Sequence, residues 1–212
     1  MIDLPRLPDS IAVGATVGFT FDTAKNTSEG GISGRKAMRS QAIRNYMISI
    51  APGPDAPEMQ NIILAVLGQR YPIAMRDPTS YTLDNELLDW TTASGITQAP
   101  LRKLFQPATG DLAYSQRVLI PDETDVPLTF TINDGPLGGV TATMIDPGIV
   151  TLNTTLNSGD RLKVSGQYLV PVCIVDTPSA TIERGPLSNI LYSFHDLRLE
   201  EILENELVAL TS

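Results

Sequence analysis

The chain has 212 residues, 42% of them hydrophobic and 18% charged, which is the composition of a folded domain and excludes wholesale disorder. Its formal net charge of −9 excludes a protein that grips nucleic acid through a basic surface. The surplus is one-sided: residues 1–83 hold 8 Lys/Arg against 7 Asp/Glu, and residues 84–212 hold 7 against 17. A single cysteine, Cys173, excludes an internal disulfide and a cysteine-based zinc site. The first ten residues carry prolines and acids where a leader would carry basic and apolar runs, and no stretch approaches the ~20 apolar residues of a membrane span, so neither a leader nor a membrane anchor is expected.

In chain order, Pro5 and Pro8 predict an extended arm over residues 1–10. Val13 to Asp22 reads as a first strand, with Val13, Ala15, Val17, Phe19 and Phe21 on one face. Residues 24–34 read as a polar loop with hairpin chemistry at Gly30-Gly31. Arg35 to Ala51 reads as a long strand. It begins in a basic cluster of Arg35, Lys36, Arg39 and Arg44 and ends in the core. That cluster is either an ordinary charged face or a set of partners for acidic groups on a neighbouring subunit.

Asp55 to Leu67 has the spacing of an amphipathic helix, with Met59, Ile62, Ile63, Val66 and Leu67 on one stripe. Asp55 and Glu58 have capping-box spacing, and Gly68 stands where a helix stops. Tyr71 to Arg76 is a short strand. Residues 84–120, with the only tryptophan, Trp90, are too long for a loop and predict a hairpin-like insertion. From Pro127 the pattern becomes regular: alternating runs at 128–132, 140–144 and 149–152 separated by Gly, Asn and Asp turns.

The run Arg161 to Asp176, RLKVSGQYLVPVCIVD, alternates at first, with Leu162, Val164, Tyr168 and Val170 on one face. From Leu169 to Val175 it is apolar on both faces, so either the helix or a neighbouring subunit covers the second face there. Pro171, which has no N–H, predicts a sheet edge or a bulge at the switch. Cys173 reads as a packing residue. Asn189 to Ile202 is the last strand, followed by an acidic tail that can form a short helix. Strands at about ten-residue spacing with one helix predict a mainly β domain of sandwich type. It is a single domain over 1–212, with its core in 11–83 and 121–203.

Chemistry-bearing motifs are sparse. His195 is the only histidine, and the chain has neither a G-x-S-x-G elbow nor a phosphate-binding glycine loop. Asp122, Glu123 and Asp125 lack the spacing of a calcium loop and read as a solvated turn. No catalytic residue, cofactor or metal ligand is expected.

The order of landmarks resembles the phage tail family that contains the distal tail protein of the bacterial gene transfer agent. The residues that carry it are GATVGFTFDT (14–23), SGRKAMRSQAIRNYMI (33–48), LGQRYPIAMRD (67–77), APLRKLF (99–105), RVLIPD (117–122), IDPGIVTL (145–152), YLVPVCIVD (168–176) and LRLEEI (197–202). The chain departs from the family at Arg35-Lys36, where an acidic residue is usual, and at Cys173, where a charge is usual. The resemblance implies a tail-tube-like β-sandwich with one packed helix, assembled as a hexameric ring at the distal end of the tail in the virion. The ring would join the tail tube protein to the tail tip hub protein, with DNA passing through its lumen. Arg35, Lys36, Arg39, Arg44, Trp90, Pro171 and Cys173 are the candidate subunit-interface residues. The arms at 1–10 and 24–34 and the insertion would reach neighbours. A tail tube subunit is a cousin of this reading. A carbohydrate-binding β-sandwich using Trp90 and Tyr81 is the rival, and a hydrolase built on His195 is a distant third.

Overall fold

A computed structural model describes residues 4–21, 23–27, 33–37, 42–107, 109, 113–124, 126–145, 147–184 and 190–211. In chain order the elements are α1 (Asp9–Ala12), β1 (Thr16–Thr20), β2 (Thr23–Thr27), β3 (Ser33–Ala37), β4 (Ile43–Ile50), α2 (Asp55–Ala65), β5 (Ile73–Met75), β6 (Thr82–Leu87), β7 (Thr91–Ala93), β8 (Ile96–Pro100) and β9 (Arg102–Phe105). They continue with β10 (Tyr114–Arg117), β11 (Ile120–Pro121), β12 (Thr129–Ile132), β13 (Gly135–Pro136), β14 (Ala142–Ile145), β15 (Ile149–Leu152), β16 (Leu162–Ile174), β17 (Ala180–Arg184), β18 (Ile190–Glu201) and α3 (Glu204–Thr211). The protein is mainly β, as its patterning predicts.

β16 is the spine. All its ladders are antiparallel, and along its 13 residues it pairs with β5, β6, β11, β12 and β18. Val172 lies opposite both Ile73 and Glu201, and Val164 opposite both Glu86 and Phe130, so neighbours flank both edges at both ends. The sheet runs β1-β4-β18-β16-β12-β13. The predicted alternation of β16 is present: Leu162, Val164, Tyr168, Val170, Val172 and Ile174 all enter the main core.

Pro171 is neither at an edge nor in a bulge. It is buried opposite Ala74, whose own N–H and carbonyl are used by Pro5 and Leu7. The Pro171 carbonyl accepts from Ile202, just past the end of β18. A residue without an N–H fits there because the β18 ladder ends at that point. The bulge falls elsewhere, on β6 between its pairings to Val164 and Gly166, where Asn85 takes a left-handed φ of 51°.

A second sheet, β14-β15-β8-β7, sends Ala99, Val150 and Leu152 into the same core. The stretch expected as an insertion is therefore built in: β6 pairs with the spine, and β8 pairs with β15. The reason is its apolar alternation, since Thr97 and Ala99 on one face of β8 are fully buried.

α2 packs Ala56, Met59 and Ile62 on the main core and ends two residues earlier than its spacing predicts. The capping box does not form. Pro54 is the N-cap, and the Asp55 carboxylate accepts from Ser10 at 3.1 Å instead. The N-terminal segment also differs from expectation. Residues 5–7 hydrogen-bond Ala74 at 2.8 Å, Leu7 is fully buried, the short helix α1 forms at the end of the expected arm, and the first strand begins at Thr16 rather than Val13. The arm packs on its own subunit because Leu7 and Ile11 supply apolar anchors. β2 pairs with β3 where a loop over 24–34 was expected, and the single strand expected from Arg35 to Ala51 is instead β3 and β4 in different sheets; residues 28–32, with Gly30 and Gly31, and 38–41 lie outside the described residues.

The second face of β16 is covered by the chain itself. Leu169 and Cys173 join Ala74, Leu119, Ile120, Ile202 and the α3 residue Leu207 in a separate small cluster.

Candidate functional site

Five charged residues of the quoted motifs, Arg44, Arg76, Asp77, Asp122 and Glu201, turn inward and meet in two knots, whereas Arg198 and Asp176 of the same motifs pair on the surface. Arg44 stands on β4 in phase with Tyr46, Ile48 and Ile50, so the pleat turns its side chain to the core, where it is 2% exposed. Its Nη1 donates to Asp77 at 2.9 Å, its Nη2 donates to Gln116, and its backbone N–H donates to Glu201 at 3.1 Å. Gln116 donates in turn to the other Glu201 oxygen at 2.7 Å. Tyr46 Oη, Thr79 N and Thr79 Oγ1 complete the Asp77 carboxylate. The guanidinium also lies 5.9 Å from the rings of Phe105 and Tyr168.

Burial opposes the charge on Arg44, but the Glu201 carboxylate, Tyr168, Tyr46 and Asp77 outweigh it and raise its pKa. Two carboxylates share one guanidinium, and burial pushes Glu201 above its ordinary range despite Arg44 and Gln116. Arg44 is thus corrected as a subunit-interface candidate. Its partners are within the chain, and they tie β4, β10, the turn after β5 and the end of β18 together.

The second knot centres on Asp122, whose side chain is fully buried. Arg6 donates to it at 3.1 Å and Arg76 at 2.7 Å, and Arg76 also binds Asp9 at 2.7 Å. Burial raises the Asp122 pKa, yet the bonds from Arg76 and Thr124 and the charge of Arg6 leave it below the usual carboxylate range. The reading of Asp122 as part of a solvated turn is corrected; Asp125 lies outside the described residues. Arg117 forms a third tie, donating to the carbonyls of Gly148 and Pro147, both at 2.9 Å.

The other interface candidates scatter. Trp90 is half-buried against the main core and donates to the Asp160 carbonyl at 3.2 Å. Cys173 is half-buried beneath α3, and burial, with Glu206 nearby, pushes its thiol up. Pro171 is buried within its own chain. Arg35 and Lys36 lie on β3 opposite Lys25 and Ala24. Arg39 lies outside the described residues. Among the described side chains, Trp90 packs on the main core and Cys173 on the small cluster, so these two do not share a site.

An outward surface does exist at β1. Among the described residues β1 pairs only with β4, so its other edge is open. Val13, Phe19 and Phe21, in and beside it, are 75%, 55% and 66% exposed. Next to it an open groove of about 410 Å³ runs over Thr16, Gly18, Asn45, Met47, Arg198 and Glu200. The only histidine, His195, bonds Ser193 Oγ at 3.2 Å; Ser193 is 2% exposed and no carboxylate bonds the other ring nitrogen, so no triad is assembled. Among the described residues no group of three or more His, Cys, Asp or Glu is placed to hold a metal, and no helix is long and apolar enough to cross a membrane.

Sequence reasoning missed Asp77, Gln116, Glu201 and the buried role of Asp122. The signal was present for Arg44: a charge in phase with three core residues requires buried partners. Compared with known proteins, the chain matches no family model and no curated protein.

Proposed function

We propose that this chain is a structural subunit of a siphophage-like tail, a distal tail protein whose hexameric ring joins the tail tube to the tip hub. The observation that carries this reading is the open β1 edge with its exposed Phe19 and Phe21. An edge strand bearing large apolar side chains is a ready template for pairing with another chain, and ring closure removes such edges. The β2–β3 hairpin supports it, because it leaves β1 and pairs with no other strand among the described residues. The acidic surplus of residues 84–212 fits a lumen along which DNA slides without sticking. Two internal charge knots and the Arg117 tie fit a rigid scaffold whose work is geometric.

The carbohydrate-binding rival has less support. Trp90 is tied to Asp160, while the Tyr81 carbonyl is tied to Tyr168, eight residues further along. The Tyr81 ring lies 5.2 Å from the Arg76 guanidinium, so each ring already has a partner within the chain. Negative-stain microscopy of the purified chain tests the proposal. Rings with sixfold symmetry and a central hole are expected; particles of monomer size that bind glycans would overturn it.

A further inference from the structure

We infer that α3 is a latch, which opens by itself without unfolding of the rest of the chain and so gates the apolar second face of β16. Among the described side chains of α3 only Leu207 is buried, and it is fully so; Val208 and Leu210 are 45% and 38% exposed. Leu207 sits in the small cluster with Ala74, Leu119, Ile120, Leu169 and Ile202, separate from the main core. α3 is also held by a contact between Arg117 and the half-exposed Glu204 at 3.3 Å, which water and salt weaken.

An eight-residue helix does not persist alone in water, so leaving the cluster and melting are one event. Burial of one leucine favours the closed state by a factor of roughly 10–100, far less than the factor that holds a whole domain folded. Local opening of this kind belongs to the low-stability end of a structure. Opening removes the cover from Leu169, Cys173, Leu119 and Ile120, an apolar strip along the spine and β11. In the closed chain Leu119, Ile120 and Leu169 are buried and Cys173 half-buried, and opening makes the whole strip available. This inference holds whether or not the chain forms rings.

Hydrogen exchange of the full chain, followed by mass spectrometry at increasing sub-denaturing urea, tests it. Amides of residues 203–211 should exchange with little dependence on urea, while those of β16 should exchange only with the steep urea dependence of global unfolding. Alkylation of Cys173, the only thiol, should follow the α3 rate rather than the β16 rate. Leu207→Ala should speed both α3 exchange and Cys173 alkylation by about tenfold or more, up to the rate of the open segment, with β16 protection unchanged. Val208→Ala should change neither. Equal protection and equal urea dependence for α3 and β16 in the unaltered chain would overturn the latch. Cys173 alkylation that ignores Leu207→Ala would overturn the gating.

Discussion

Arg44 carries the largest single-residue consequence. Replacing it with leucine leaves Asp77 and Glu201 as buried, uncompensated carboxylates, and removing one partner of such a set costs about 3–5 kcal/mol. Urea unfolding of Arg44→Leu at neutral pH should show that loss, with the slope unchanged. The pH dependence has a definite sign. Glu201 is raised in the folded state, so its protonated form is the favoured one there. Its contribution is full below the ordinary carboxylate range, near 4.3, and is lost as pH rises from there through its folded value. Asp122 has the opposite sign: its contribution is full above the ordinary range and lost as pH falls through its lowered folded value. Without Arg44 the Glu201 penalty grows, so the deficit of Arg44→Leu should be smaller at acid pH than at neutral pH. A deficit that is flat with pH would contradict the assignment. Gly148 gives an independent residue-scale test. Its φ is +59°, and a Cβ there would stand 2.0 Å from the Val118 carbonyl oxygen. Gly148→Ala should cost ~3 kcal/mol or more in thermal or urea unfolding, from left-handed strain and overlap together.

At the scale of elements, legibility followed anchoring. The hairpin at β12–β13 and the turn at 157–160 were readable because turn chemistry is local; Asn133 and Asp134 both take positive φ. β16 was readable because its alternation persists through Leu162, Val164, Tyr168 and Val170. The cover on its second face was not. Leu207 is one apolar residue on a short acidic helix, and no periodicity separates it from a frayed tail. Residues 5–12 were misread because proline content forecasts an extended backbone but says nothing of where Leu7 lands. The segment 84–120 was misread because sheet partners distant in sequence, here β8 with β15, leave no local trace. The open β1 edge yields an element-scale prediction. Phe19→Lys combined with Phe21→Lys places charges on it, a device that blocks strand addition. The variant should keep the circular dichroism and unfolding midpoint of the parent and lose assembly. Retained assembly would move the interface elsewhere.

At the scale of the whole molecule, Arg44, which looked like a contact for a neighbour, binds this chain to itself. What the described residues offer a partner is an apolar edge: Phe19, Phe21 and Val13 in and beside β1, whose second edge has no partner among them. A ring uses such an edge on every copy, whereas a solitary binding domain has no use for it. The molecular mass of the purified, unmodified chain in solution therefore tests the central claim most directly. The account predicts a species of six times the 22.9 kDa protomer mass that persists on dilution into the micromolar range. A single species of 22.9 kDa at every concentration up to several milligrams per millilitre would contradict it.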